Sequence, residues 1–146
     1  MLELLAPAGN LDAVIAAVQN GADAVYMGFG DGFNARRSAD NFTQESFAKA
    51  VRYCHIRGCK VYVTLNTLVG DREMDAAAAL AQQASDAGAD AILVQDLGLA
   101  RVLRAALPDI PLHASTQMSI HNLAGVEAAA EMGITRAVLA RELSLE

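Results

Sequence analysis

The sequence predicts an α/β fold in which short buried strands alternate with amphipathic helices along all 146 residues. Apolar runs of strand length recur between longer segments with helical periodicity. Glycines stand between the end of a helix and the next strand, and Gly21-Ala22-Asp23-Ala24-Val25 returns almost unchanged as Gly88-Ala89-Asp90-Ala91-Ile92. Repeated strand–helix units of about 25–40 residues are typical of a parallel sheet covered by helices.

Six strands are predicted from these apolar runs. In chain order they are Leu2–Ala6, Ala24–Met27, Lys60–Asn66, Ala91–Val94, Leu112–Ser115 and Arg136–Ala140. In the third strand Val61, Val63 and Leu65 alternate with more polar residues, which predicts that the two faces of the sheet differ.

Five helices are predicted from capping residues and apolar faces. The first follows Asn10 and ends at Gly21; the second carries Phe47, Val51 and Cys54 on one face and ends at Gly58; the third follows Asp71; the fourth spans Leu99–Leu107 before Pro108; the fifth runs from Asn122 to Met132. Asn and Asp accept hydrogen bonds from the first free N–H groups of a helix, and glycine commonly ends one.

Two architectures fit this order of elements, a doubly wound open sheet and part of a (β/α)8 barrel. An open nucleotide-binding sheet usually carries a glycine-rich loop after its first strand, and Pro7-Ala8-Gly9-Asn10 is not such a loop. A complete barrel needs ~200 residues or more. We therefore predict a TIM-barrel-like fold truncated to about six β/α units, with residues 1–146 as a single domain.

The composition narrows the class of protein. The chain is 53% hydrophobic and 19% charged, with a formal net charge of −6. This acidic balance argues against a nucleic-acid or membrane-surface binder that works by bulk charge. No apolar stretch is long enough to span a membrane, the amino terminus lacks the basic start of a signal peptide, and two cysteines make no disulfide framework. We expect a cytoplasmic protein.

Polar side chains follow most of the predicted strands. Ligands of parallel α/β folds bind at the carboxyl ends of the strands, where these side chains would meet. The predicted substrate-binding residues are Asn34, Arg36, Asn66, Gln95, Asp96, Ser115, Gln117, Arg141 and Glu142. Strand alternation further predicts that His113, Ser115 and Gln117 share one side.

Structural roles remain open for the same residues. Arg36 and Arg37 fit a solvated loop pair as well as an anion clamp, and Asp96 fits a helix cap as well as an acid. The amides of Asn66 and Gln117 could tie loops to the backbone, and Arg141 could pair with Glu142. Only the coincidence of so many polar strand ends favours a binding site.

The sequence contains no recognisable group of catalytic or metal-binding residues. Ser115 lacks the elbow motif of an activated serine, and His113 two residues away has no geometry for proton relay. Cys54 and Cys59 are interpreted as core residues. His55 and Cys59 have a spacing that metal ligands use, but two ligands do not make a site.

Several segments, taken in order, resemble the start of peptidase family U32, the collagenase-like proteases. They are Leu4–Asn10, Gly21–Gly28, Phe33–Arg36, Asn41–Phe42, Asn66–Thr67, Gln95–Gly98, Ser115–Gln117 with Asn122, and Arg141–Ser144. The resemblance implies a (β/α)8-like barrel of which this chain forms the first six strands. It also implies a longer parent protein, whose cysteine-containing signature is absent from these residues. The family's catalytic residues and mechanism are unassigned.

The resemblance implies two activities for the parent protein. The first is proteolysis of protein or peptide substrates. The second is anaerobic hydroxylation of RNA bases or a ubiquinone precursor, which uses an iron–sulfur cluster held by cysteines. No cofactor is expected within these residues, and the cluster or another metal would belong to the longer parent. A third hypothesis is a non-catalytic half-barrel that self-associates through its exposed strand edges.

Overall fold

The computed structural model describes residues 2–35 and 41–144, which form one parallel sheet with helices along the chain. The six strands are β1 (Leu5–Pro7), β2 (Ala24–Met27), β3 (Lys60–Leu65), β4 (Ala91–Val94), β5 (Leu112–Ala114) and β6 (Ile134–Ala137). Each strand pairs in parallel with the next along the chain, so the spatial order is β1-β2-β3-β4-β5-β6. This order confirms the predicted repetition of strand–helix units.

Five α-helices connect the strands. They are α1 (Leu11–Gln19), α2 (Gln44–His55), α3 (Met74–Asp86), α4 (Leu97–Ala106) and α5 (Leu123–Glu131), and a short 3-10 helix spans Thr116–Met118. The predicted caps of α1 and α5 are confirmed, since Asn10 Oδ1 accepts from the N–H of Ala13 and Asn122 Oδ1 from that of Gly125. Gly21, with φ +90°, follows α1 as predicted.

The predicted boundaries are wrong at both edge strands. β1 begins at Leu5 rather than Leu2, because Leu2 is 97% exposed and pairing with β2 starts at Leu5 opposite Ala24. β6 begins at Ile134 rather than Arg136. It ends at Ala137, after which the chain leaves the sheet and the N–H of Ala140 donates to the carbonyl of Ile120.

Two predicted helix starts also need correction. Asp71 does not cap α3, which starts at Met74 after a turn in which the Glu73 N–H donates to the Gly70 carbonyl. The Glu73 carboxylate in turn accepts from the Gly70 N–H, so this turn satisfies its own polar groups. α4 starts at Leu97, two residues before the predicted Leu99, because Asp96 caps it.

The two faces of the sheet carry separate apolar clusters. One face packs against the helices through a large cluster that includes Val25, Val63, Ile92 and Leu112. The inner face carries a smaller cluster of Ala24, Tyr62, Ala91 and Leu93. Both faces are therefore buried to a large extent, as expected for a parallel sheet. The alternation predicted for β3 is confirmed by this division.

The repeated Gly-Ala-Asp motif has the same structural role in both copies. Asp23, just before β2, accepts a hydrogen bond from the N–H of Leu4 at 2.7 Å. Asp90, just before β4, accepts one from the N–H of Val61, also at 2.7 Å. Each aspartate therefore ties the start of its strand to the start of the preceding strand.

Candidate functional site

A cluster of uncharged polar side chains lies at the carboxyl ends of the strands. Asn66, directly after β3, is its centre: its Oδ1 accepts from the N–H of Ala35 at 3.1 Å, and its Nδ2 donates to Ser115 Oγ at 3.3 Å. Asn66 thus links the loops that follow β2, β3 and β5. We call Asn34, Asn41, Asn66 and Ser115 the amide cluster.

Ser115 is held from both sides. Its side chain is buried, and Oγ accepts from the N–H of Gln117 at 3.3 Å in addition to the Asn66 bond. Ser115 thereby caps the 3-10 helix that carries Gln117. These contacts fix the hydroxyl as part of the loop structure, and no histidine hydrogen-bonds to it among the described residues.

Asn34 and Asn41 close the loop that follows β2. Asn34 Nδ2 donates to Asn41 Oδ1 at 3.1 Å directly above Gly28. A Cβ atom at position 28 would lie 2.2 Å from each of those two atoms, so a larger residue there would displace the two amides. Asn41 was not among the predicted site residues. Its position at the end of the polar loop predicted from Gly28 to Asn41, within a segment of the family resemblance, is the signal that could have identified it.

The loop between these two asparagines contains Arg36, which was predicted to bind substrate. Arg36 and Arg37 lie outside the described residues. Both flanks of the loop are anchored: the N–H of Ala35 by Asn66, and Phe42 by backbone hydrogen bonds with Gly28 and Gly30.

Asp96 adopts the structural role that the sequence left open. Its Oδ1 accepts from the N–H of Leu99 at 2.8 Å as the cap of α4, and its Oδ2 accepts from the N–H of Val69 at 3.4 Å. The carboxylate therefore joins the loop after β3 to the start of α4. The neighbouring Gln95 is half-buried at the end of β4.

The remaining predicted residues are more exposed. Gln117 lies on the 3-10 helix rather than on β5, which ends at Ala114, so the expectation that it shares a strand face with His113 and Ser115 is wrong. Arg141 and Glu142 lie exposed in a turn beyond β6. No ion pair joins these two side chains in the part of the chain that the structure describes.

A charged cluster that the sequence analysis missed lies at the opposite, amino end of the strands. The Glu3 carboxylate accepts hydrogen bonds from the Tyr62 hydroxyl at 3.0 Å and from the Arg136 guanidinium. Arg136 holds the pKa of Glu3 below its usual value, and burial raises the pKa of Tyr62. The alternation of side chains along the strands could have revealed this charged cluster, since Tyr62 and Arg136 both occupy inward positions of their strands.

His113 lies beside this charged cluster. Its ring meets the Tyr62 ring edge-on, with centroids 4.9 Å apart. Burial, together with the positive charge of Arg136, lowers the pKa of His113 to about 4. The imidazole is therefore neutral at pH 7.

The two cysteines do not fit an iron–sulfur cluster. Both are free and buried in the core against the helices, which confirms their interpretation as core residues. Burial and the neighbouring Cys59 raise the pKa of Cys54 to about 12, whereas cluster ligands are thiolates. Within residues 2–35 and 41–144, no group of three His, Cys, Asp or Glu side chains could hold a metal ion.

The fold belongs to the TIM-barrel-like class of α/β proteins, as solved structures with the same architecture show. A U32 peptidase structure superposes with a TM-score of 0.72 at 15% identity, over 95% of this chain and 58% of that one. The HMG-CoA lyase of Bacillus subtilis superposes with a TM-score of 0.66 at 17% identity, over 91% of this chain and 51% of that one. At these identities the likeness concerns the fold alone. In the described residues no helix is long and apolar enough to cross a membrane.

The chain belongs to peptidase family U32, whose sequence profile matches residues 9–146. It is 42% identical to a 23S rRNA 5-hydroxycytidine synthase of Escherichia coli, over 99% of this chain and 21% of the relative. It is 41% identical to tRNA hydroxylation protein P1 of Bacillus subtilis, over 97% and 33%. It is 34% identical to a collagenase of Porphyromonas gingivalis, over 99% and 34%. The chain therefore spans between a fifth and about a third of the length of these relatives.

Proposed function

We propose that this chain is the amino-terminal barrel portion of an RNA-hydroxylating member of family U32, and that the amide cluster borders the substrate site. The observation that carries the proposal is the chemistry of that cluster at the carboxyl ends of the strands, where barrel enzymes bind their substrates. Two relatives above 40% identity are both named for RNA hydroxylation.

Amides and hydroxyls suit the recognition of an unstacked nucleobase. Such a base presents donors and acceptors on its edges, which neutral side chains can match without an unpaired charge. Asn66 and Ser115 are half-buried and buried, respectively, and both side chains are fixed by hydrogen bonds, so their polar atoms are held in place. Gln95 and Gln117 would extend this polar surface.

Positive charge near the cluster would meet the phosphates of an RNA substrate. In the sequence Arg36 comes after β2, Arg141 comes after β6, and Glu142 is next to Arg141. Arginine forms strong, often bidentate hydrogen bonds with phosphate. A local basic contact of this kind is compatible with a net charge of −6 for the whole chain.

Proteolysis is the second candidate, favoured by the family name and by the collagenase relative. A serine mechanism would need a base beside Ser115. His113 is two residues away on the same face but contacts Tyr62 at the amino end of the strands. The amide cluster therefore gives less support to peptide hydrolysis than to recognition of a base.

Any redox cofactor would be held by other residues of the parent protein, since Cys54 and Cys59 do not fit a cluster. We therefore assign no step to such a group. We also propose a cytoplasmic location, because that is where ribosomal and transfer RNA would meet the protein. The part described here would position the base and its phosphates.

The test is to delete the gene that encodes this chain and to analyse the nucleosides of ribosomal and transfer RNA by mass spectrometry. We expect one pyrimidine to lose its hydroxyl oxygen, and the wild-type gene to restore it. The Arg141→Glu variant should restore much less, because it replaces a phosphate-binding charge with a repelling one. Its melting temperature should stay near that of the wild type, since Arg141 is exposed.

Arg52→Glu provides the matched control, because Arg52 is an exposed arginine in the last turn of α2, away from the carboxyl ends of the strands. It should restore hydroxylation fully. Unchanged nucleosides in the deletion strain would refute the proposal, and loss of peptide cleavage in that strain would favour proteolysis. A fall in the melting temperature of Arg141→Glu would instead make Arg141 a structural residue.

We also propose that the 146-residue chain by itself self-associates. β1 and β6 are the two edges of the sheet, and each has one side without a neighbouring strand among the described residues. Exposed edges of this kind readily pair with another chain. Sedimentation of the chain at micromolar concentration should show a dimer, and a strictly monomeric species would contradict this proposal.

A further inference from the structure

A cavity of about 360 Å³ opens at the amino end of the sheet, away from the amide cluster. Its lining includes Lys60 and Tyr62 of β3, His113 of β5, and Thr135 and Arg136 of β6. We call it the amino-end cavity. Its volume falls within the lower part of the range of small-molecule sites, ~300–1,000 Å³.

His113 presents unused hydrogen-bonding groups to this cavity. Only 5% of its surface is exposed, and neither ring nitrogen hydrogen-bonds to any described residue. Every fully enclosed side-chain nitrogen and oxygen in the described residues has a hydrogen-bond partner. The ring nitrogens of His113 must therefore reach the open space of the cavity. A buried imidazole left without a partner is costly unless a ligand or water completes it.

Around His113, the N–H donors outnumber the acceptors that are still available to them. The carboxylate of Glu3 already accepts from Tyr62 and Arg136, and that of Asp90 accepts from the N–H of Val61 and contacts His55. Arg136 carries five N–H groups and uses only some of them on Glu3 and Tyr62. The ammonium group of Lys60 lies 4.0 Å from Glu3, with its side chain 57% exposed.

We propose that the amino-end cavity binds a small oxyanion, a phosphate or a carboxylate, between His113, Lys60 and Arg136. An oxyanion supplies acceptors for the N–H groups of these three residues that the protein's own carboxylates leave unpaired. The neutral imidazole offers one N–H to it. This site would be separate from the proposed RNA site, because the two lie at opposite ends of the strands, and it does not depend on that function.

The experiment follows the histidine ring nitrogens by NMR while inorganic phosphate is added at pH 7 and constant ionic strength. The chain has three histidines, so the assignment is simple. The ring signals of His113 should shift and saturate with a Kd of about 1 mM. Those of His121, which is exposed and lies outside the cavity lining, should not saturate. A parallel titration with acetate separates a carboxylate site from a phosphate site.

Two variants with matched controls test the assignment of residues. Lys60→Met should weaken binding about two- to fivefold, as expected for a partly exposed charge. Lys49→Met should leave it unchanged, because Lys49 is exposed on α2 and pairs there with Glu45. His113→Phe keeps a ring against Tyr62 but removes both nitrogens. It should weaken phosphate binding about tenfold or more, as measured by phosphorus NMR.

Saturable shifts of His113 that are weakened by Lys60→Met and not by Lys49→Met would support the site. The proposal would be overturned if the NMR signals of His113 moved linearly with phosphate and acetate concentration and never saturated. Equal binding by the two lysine variants would also overturn it, because the phosphate would then not lie beside Lys60. Lys60 is exposed, so its variant is expected to fold even if His113→Phe does not.

Discussion

The two ends of the same sheet are stabilised by different chemistry. At the carboxyl ends, Asn66 and Ser115 join loops through neutral hydrogen bonds. At the amino ends, Glu3, Tyr62 and Arg136 form a charged cluster around one carboxylate. The neutral end joins its loops without any charge, whereas the carboxylate of Glu3 at the charged end is occupied by the protein's own donors.

This difference predicts which end of the sheet changes with pH. The amide cluster contains no titratable group, so its hydrogen bonds persist across the ordinary pH range. The amino end contains groups whose pKa values are shifted by burial and by one another, namely Glu3, Tyr62, His113 and Arg136. Acid should therefore weaken one end of the barrel before the other.

The largest expected effect is the loss of stability in acid through His113. Its folded pKa of about 4 lies below the unfolded value of 6.5. The unfolded chain therefore takes up a proton as the pH falls through 6.5, and the folded chain does so only near 4. His113 alone should lower the free energy of unfolding by about 3 kcal/mol across this interval. Urea unfolding of the wild type and of His113→Phe, compared at pH 7 and pH 4, measures the difference.

The charges that face His113 are Arg136 on β6, Lys60 on β3, Glu3 before β1 and Asp90 beside the cavity. They are retained in His113→Phe, so the variant isolates the imidazole. An equal loss of stability in the wild type and the variant would show that carboxylates alone cause the acid effect.

The next effect is at the neutral end. Asn66→Ala removes the acceptor of the Ala35 N–H and the donor to Ser115 Oγ, and should lower the free energy of unfolding by about 1–2 kcal/mol, independent of pH between 5 and 8. Asn20→Ala serves as the control, because Asn20 is exposed and bonds only within its own helix end. A loss for Asn66→Ala no larger than for Asn20→Ala would remove the amide cluster as a structural link.

The smallest effect is expected from Arg136→Met. The loss should be about 1 kcal/mol, since the Arg136 side chain is 39% exposed and water screens its pair with Glu3. Thermal unfolding at low and high salt measures it, and high salt should reduce the difference from the wild type. Arg101→Met, on the exposed side of α4, should have no effect at either salt concentration. A salt-independent loss would indicate packing of the Arg136 stem rather than charge.

The sequence predicted the middle of the sheet better than its edges. β2 and β4 have the predicted bounds, because both are apolar runs that follow a Gly-Ala-Asp signal. At β1 and β6 the limits depend on where a neighbouring strand stops pairing, and local composition does not contain that information.

The residues of the candidate site also differ in how well the sequence predicted them. Asn66 and Ser115 were predicted because each ends a predicted strand, and the structure brings them together directly after β3 and β5. Asp96 was ambiguous, since only the three-dimensional structure places its carboxylate between α4 and Val69. Glu3 and Arg136 were missed because they stand near opposite ends of the chain, and no local pattern relates them.

The contact between Glu3 and Arg136 also bears on how the molecule folds. Their sequence separation is 133 residues, so the contact requires the ends of almost the whole chain to come together. Contacts that close long loops carry a large entropic cost before they contribute any stabilisation. We expect this contact to form after the rate-limiting step of folding. It should therefore lower the rate of unfolding and leave the rate of folding almost unchanged.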